Sequence, residues 1–175
     1  TTRSVLIGCS ALLARRSWVG RSNGSGAGVG VLNTIGGNYR FSNNLFTRCA
    51  TGITFLADSS PGNFAGNITI TGNIIDLVNV GIYWDRVSGM FSANFVITGN
   101  IIYSTFGLLD NQVSDGTIGW LADISVTGNQ FFLRGVNSRG ILLKVNPMTV
   151  VGNIFDAGNP DDGNAPFAGS AGVAV

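Results

Sequence analysis

The chain has 175 residues, 45% of them hydrophobic and only 11% charged, with a formal net charge of +1. It contains no His, all its acids are Asp, and Lys144 is its single Lys. Those absences exclude a Ser-His-Asp triad, a Cys-His pair and a His-containing zinc site, and they leave neither a metal-ligand set nor a cofactor motif. No apolar run approaches the roughly 20 residues of a membrane-spanning helix. No dense basic-aromatic stripe suits nucleic acid. Scarce Lys and Glu argue against helices with salt-laced faces, which leaves a Gly- and Asn-rich, mostly β chain.

In chain order, setting Cys9 on Cys49 brings Ser4 to Asn44 and Val5-Leu6 to Leu45-Phe46, so the chain opens partway through a strand. It begins Thr1-Thr2-Arg3, with no Met and no signal-peptide pattern, and reads as a processed or excised piece. The two cysteines are too few for a disulfide framework and read as small inward-facing residues of adjacent units. Residues 11–28, which contain ALLARR and glycines, read as a long insertion in the first unit. The run GSGAGVG at 24–30 has no helix after it and no closing Lys-Ser or Lys-Thr, so it reads as a flexible loop rather than a phosphate cradle.

A nine-residue phrase then recurs five times: NYRFSNNLF at 38–46, NITITGNII at 67–75, NFVITGNII at 94–102, DISVTGNQF at 123–131 and PMTVVGNIF at 147–155. The starts are 29, 27, 29 and 24 residues apart. Its second, fourth and ninth positions are always apolar and its third is usually polar, the alternation of a strand with one face inward. Its seventh position is always Asn: Asn44, Asn73, Asn100, Asn129 and Asn153. Three copies share Thr-Gly-Asn, a tight bend, since Gly and Asn both tolerate a left-handed backbone. After each bend a second apolar run opens at Gly52-Ile53, Gly81-Ile82, Gly107-Leu108 and Gly140-Ile141. Residues 156–175 lack the phrase and, rich in Gly, Ala and Pro, read as a cap, a linker or an intersubunit arm.

No unit of about 27 residues buries its apolar face alone, and stacking the units does so. The recurrent "ItGNii … GI" phrase resembles the right-handed parallel β-helix superfamily, the pectate-lyase-like fold, over residues 1–155. That resemblance implies an all-β solenoid of five to six coils, each rising about 4.8 Å. It also implies an Asn ladder along one bend, made of the five Asn residues named above. Its most similar form is a segment of a bacteriophage tailspike or fibre, which implies a trimer, other subunits of a larger spike as partners, and a place in the virion tail. The fold hosts lyases, hydrolases, tailspikes and adhesins, so function has to come from a site.

In such a fold, sites form where side chains of neighbouring coils line up outside. Asp85 and Asp110 end equivalent strands of adjacent coils, within the roughly 5–9 Å that glycosidase carboxylates use. Asp58, Arg86 and Lys144 lie near in the pattern. Tyr83, Trp84, Tyr103 and Trp120 offer rings for a pyranose, with Arg86 as a donor. Alternation qualifies one of them: Trp84 shares a face with Ile82, so burying Ile82 leaves Tyr83 and Asp85 outside. Charge is also uneven, with six Arg and no acid in 1–57, six Asp against four cations in 58–155, and three Asp in 156–175.

The expected function is therefore a structural, host-glycan- or receptor-facing β-helix module of a viral tailspike or fibre. The alternatives are a polysaccharide depolymerase, lyase or hydrolase, using Asp85 and Asp110, and a secreted, extracellular bacterial adhesin. The low charge further predicts that the chain associates with copies of itself or with other spike subunits.

Overall fold

The computed structural model describes residues 5–7, 12–15, 18–21, 27–33, 36–37, 39–57, 64–85, 91–110, 120–145, 147–159, 165–166 and 168–174. They form a parallel β-solenoid, all strand and turn, with no helix among them. One sheet stacks the phrase strands, in the order Met148–Val151, Trp120–Thr127, Phe91–Thr98, Phe64–Thr71, Tyr39–Ser42 and Leu12–Arg15. Phe91–Thr98 lies parallel and in register with both neighbours, Phe95 opposite Ile68 on one side and Ile124 on the other. A second sheet carries the strands after each bend, including the long Ile74–Asp85 and Ile101–Asp110. A bulge between Ile75 and Val78 divides Ile74–Asp85 into a wall that follows the bend and a wall that begins at the glycine.

The alternation read in the phrase is the inside-outside pattern of the solenoid. Phe41, Ile70, Ile97 and Val126 point inward and are fully buried, as are Ile53, Ile82, Leu108 and Ile141 from the glycine wall. Phe55, Trp84 and Phe95 pack at the centre. The Trp84 ring stacks on Phe55 at 5.6 Å and meets the edge of Phe95 at 5.3 Å. Each fully buried side chain of this size contributes about 1.5–3 kcal/mol of apolar burial, which is what holds one coil on the next.

The glycine wall works by close approach. A Cβ built on Gly81 lies 2.5 Å from the carbonyl oxygen of Gly107 and 2.7 Å from Ile102 Cγ2. The row Gly52, Gly81, Gly107 and Gly140 thus lets each strand sit against the side chain that follows the bend in the next coil. The row extends past the four copies read from the sequence. Ala171–Ala174 pairs parallel with Arg139–Leu142, setting Gly172 beside Gly140, so part of the 156–175 segment is a further solenoid strand.

Three expectations for the N-terminal part need correction. Leu12–Arg15 pairs with Tyr39–Ser42 and Trp18 with Leu45, so the supposed insertion at 11–28 supplies strands of an earlier coil. Ala27–Asn33 is a strand parallel to Thr51–Ala57, so the second half of the glycine run is sheet rather than loop. Val5 pairs with Gly30, and Gly30 with Thr54, which places Val5-Leu6 on the glycine wall and not on Leu45-Phe46. The apolar spacing of ALLARRSWV matches the phrase, but Ser17 takes the place of Asn and no Gly precedes it. Cys9 lies outside the described residues, while Cys49 is buried with its Sγ donating to Thr47 O at 3.3 Å. The described residues complete about three turns, fewer than the five to six expected, because 58–63, 86–90 and 111–119 lie outside them.

Candidate functional site

The ladder is present. Asn44 donates its backbone N–H and its Nδ2 to Asn73 Oδ1, both at 3.0 Å. Asn73 does the same to Asn100 Oδ1, at 2.9 Å for each. Asn100 repeats it onto Asn129, and Asn129 onto Asn153. The Nδ2 groups of Asn73, Asn100, Asn129 and Asn153 also donate to a backbone carbonyl of the preceding coil, Asn100 to Ile70 O at 2.9 Å and Asn129 to Ile97 O at 2.9 Å. Asn73, Asn100 and Asn129 are fully buried, so these amides are committed to the fold and not to a ligand. The bend forms because the preceding position is left-handed, with φ of 64° at Gly72 and 63° at Gly99, and 56° at Asn43 in the first copy.

The residues singled out for chemistry separate by face. Trp84 is fully buried between Phe55 and Phe95, so its ring has no open side for a sugar. Its burial follows from the alternation it shares with Ile82. Asp110 pairs in register with Trp84, not with Asp85, and it too turns inward, at 1% exposure. There its Oδ2 accepts the backbone N–H of Lys144 at 3.3 Å. Asp85, one position beyond Trp84, turns to the outer side and is half-buried, as is Tyr83. The expected pair of carboxylates therefore lies on opposite faces of one sheet, because a one-residue offset in register exchanges inside for outside.

What the strand brings together outside is Tyr83 with Asp85, two positions apart on the glycine wall. Leu109 flanks Tyr83 from the next coil and Thr54 from the one before. Tyr83 supplies an apolar ring with a hydroxyl, and Asp85 an acceptor, at the end of a strand. Arg86 and Asp58 lie outside the described residues, as does the side chain of Trp120. Lys144 is exposed.

Tyr103 is on a different wall, the one after the bend, where it stacks on Phe132 of the next coil at 4.4 Å with 9° between planes. The Arg134 guanidinium lies 5.7 Å from the centre of the Phe132 ring. In the same outward row come Thr47 beside Asp76, and Asp156 beside Phe132. Sequence reasoning missed Asp76, Phe132 and Asp156, since outward positions carry no repeat to mark them. Asp76 and Asp156 are three strand-to-strand steps apart in this sheet, about 14 Å at the spacing of parallel strands, too far for a glycosidase pair. No cluster of three metal-ligating side chains occurs among the described residues. Set against protein-family models, curated proteins and solved structures, the chain matches none.

Proposed function

We propose that this chain is a structural, glycan-facing β-helix module of a viral tailspike or fibre, and that Tyr83 and Asp85 are its sugar-contacting residues. The observation that carries the reading is the shared outer face of Tyr83 and Asp85, with Asp110 turned into the core. A ring and an acceptor side by side suit the hydrogen bonds and the apolar face of a pyranose. Asp85, the one outward carboxylate among the described residues of this wall, suits binding better than hydrolysis, which uses two acids across the bond. The partners of such a module are further copies of the chain or other subunits of the spike.

Calorimetric titration of host-surface polysaccharide fragments tests this. Binding weakened about tenfold or more by Tyr83→Ala, and less by Asp85→Asn, is the expected result, since a stacked ring contributes more than one exposed acceptor. Turnover of the polysaccharide, lost with Asp85→Asn, replaces the reading with a depolymerase. Failure to bind any such fragment at millimolar concentration removes it.

A further inference from the structure

Inside the glycine wall, one inward row runs through consecutive coils as Phe55, Trp84, Asp110 and Leu143. Phe55 pairs with Trp84 and Trp84 with Asp110, and the pairing of Leu109 with Leu142 carries the row on to Leu143. All four side chains are at most 1% exposed. Three are large and apolar, while Asp110 is the one buried acid among the described residues. It is also the smallest of the four, so its coil fills less of the space beside Trp84 than a Phe or Leu would. Phe55 covers one face of the Trp84 ring, and Asp110 belongs to the coil on the other side.

The Nε1–H of Trp84 is buried and has no acceptor among the described residues. The hydroxyls of Ser104 and Ser138 share that condition, but a hydroxyl both donates and accepts and turns about its bond. An indole N–H only donates, along a direction that its ring fixes, and this ring is held by the Phe55 face and the edge of Phe95. Asp110 is complementary, since a carboxylate accepts at about four sites. Its Oδ2 takes the Lys144 backbone N–H at 3.3 Å, at one end of the row. A buried donor without an acceptor thus stands one coil from the one buried carboxylate. An unsatisfied polar atom in a dry interior calls for a partner.

We propose that a single water molecule is held between the two, accepting from Trp84 Nε1 and donating to a carboxylate oxygen of Asp110. Water alone among common small ligands joins a group that only donates to one that only accepts, and a buried water needs at least two such polar partners. A cation does not suit the place. The indole presents the positive edge of its ring, and no cluster of three ligating side chains occurs among the described residues. The water links the glycine wall of two successive coils from within, as the ladder links them at the bend. It lies behind Tyr83 and Asp85, on the inner side of their strand, and stands or falls apart from the glycan reading.

Nuclear magnetic resonance of the full chain tests this in a Trp18→Phe, Trp120→Phe background, where the remaining indole N–H signal belongs to Trp84. That proton is expected to show a nuclear Overhauser effect to water with the sign of a long-lived bound molecule. Asp110→Leu fills the space and removes the effect, and oxygen-17 relaxation dispersion then counts one internal water fewer. Asp110→Asn, which keeps the shape and an acceptor, retains both signals. No effect to water in the parent, an effect that survives Asp110→Leu, or an unchanged count of internal water each overturns the inference. Circular dichroism unchanged from the parent separates loss of the water from loss of the fold. Should the Leu variant not fold, the parent's indole signal and that of Asp110→Asn decide.

Discussion

Two rows of identical residues run the length of this solenoid, and they repeat for opposite reasons. The Asn row repeats because every atom of the side chain is used, its Oδ1 taking two hydrogen bonds and its Nδ2 giving at least two. The Gly row repeats because no atom can be present, since the neighbouring strand and the side chain after the bend fill the space. The first row is held by what is made, the second by what is left out. A stacked fold thus sets its coil spacing with one residue that bonds and another that yields.

Substitutions separate the two principles. Gly107→Ala should have the largest effect, about 3 kcal/mol or more, since its Cβ meets the Phe131 ring and the Gly140 backbone, neither of which moves without shifting a coil. Urea denaturation measures it, and a loss below about 1 kcal/mol breaks the close-approach account. Asn100→Ala follows, at about 1–3 kcal/mol, because the Asn73 donors and the Ile70 carbonyl lose their partner in a dry interior. Asn153→Ala, at the half-buried last rung, should cost nearer 1 kcal/mol by the same measurement. A loss at Asn153 equal to that at Asn100 would show that burial is not what gives the ladder its strength.

Gly99→Ala should be smaller again, about 1 kcal/mol, and of a different origin. Its Cβ meets nothing within 4 Å, so only the left-handed φ of 63° penalises it. Gly99→Asn should cost least, under about 0.5 kcal/mol, because Asn43 already holds the equivalent bend at φ 56°. Two glycines eight residues apart, Gly99 and Gly107, would then differ severalfold in what one methyl does to them.

The legible parts of this fold were those where burial repeats. The phrase at 67–75 and 94–102 reads as a coil because inward positions accept only apolar residues and the bend accepts only Gly-Asn or its near equivalent. The coil starting near residue 11 escaped because Ser17 replaces the Asn, and without that marker the alternation in ALLARRSWV is too short to distinguish from an insertion. Gly172 escaped because a small residue followed by Val is common in a Gly- and Ala-rich segment, and only the sheet pairing identifies it. The inward turn of Trp84 was readable from Ile82, whereas that of Asp110 depends on register across two coils, which no local pattern states. The Asp76 to Asp156 row was invisible for the opposite reason: an outward wall places no common demand on its residues.

The ladder also has a direction. Each of its four links runs the same way, from an amide in one coil to the oxygen in the next, Asn44 through to Asn153. Aligned side-chain amides add as dipoles, and each hydrogen bond polarises the one after it, by about a tenth to a third in condensed phase. Along this solenoid the negative poles face the N-terminal coils and the positive poles the C-terminal ones. Arg40 and Arg48, beside the first rung of the ladder, and Asp156, beside its last, therefore sit where that field favours them. An electric polarity arises here without any helix, from a column of neutral side chains.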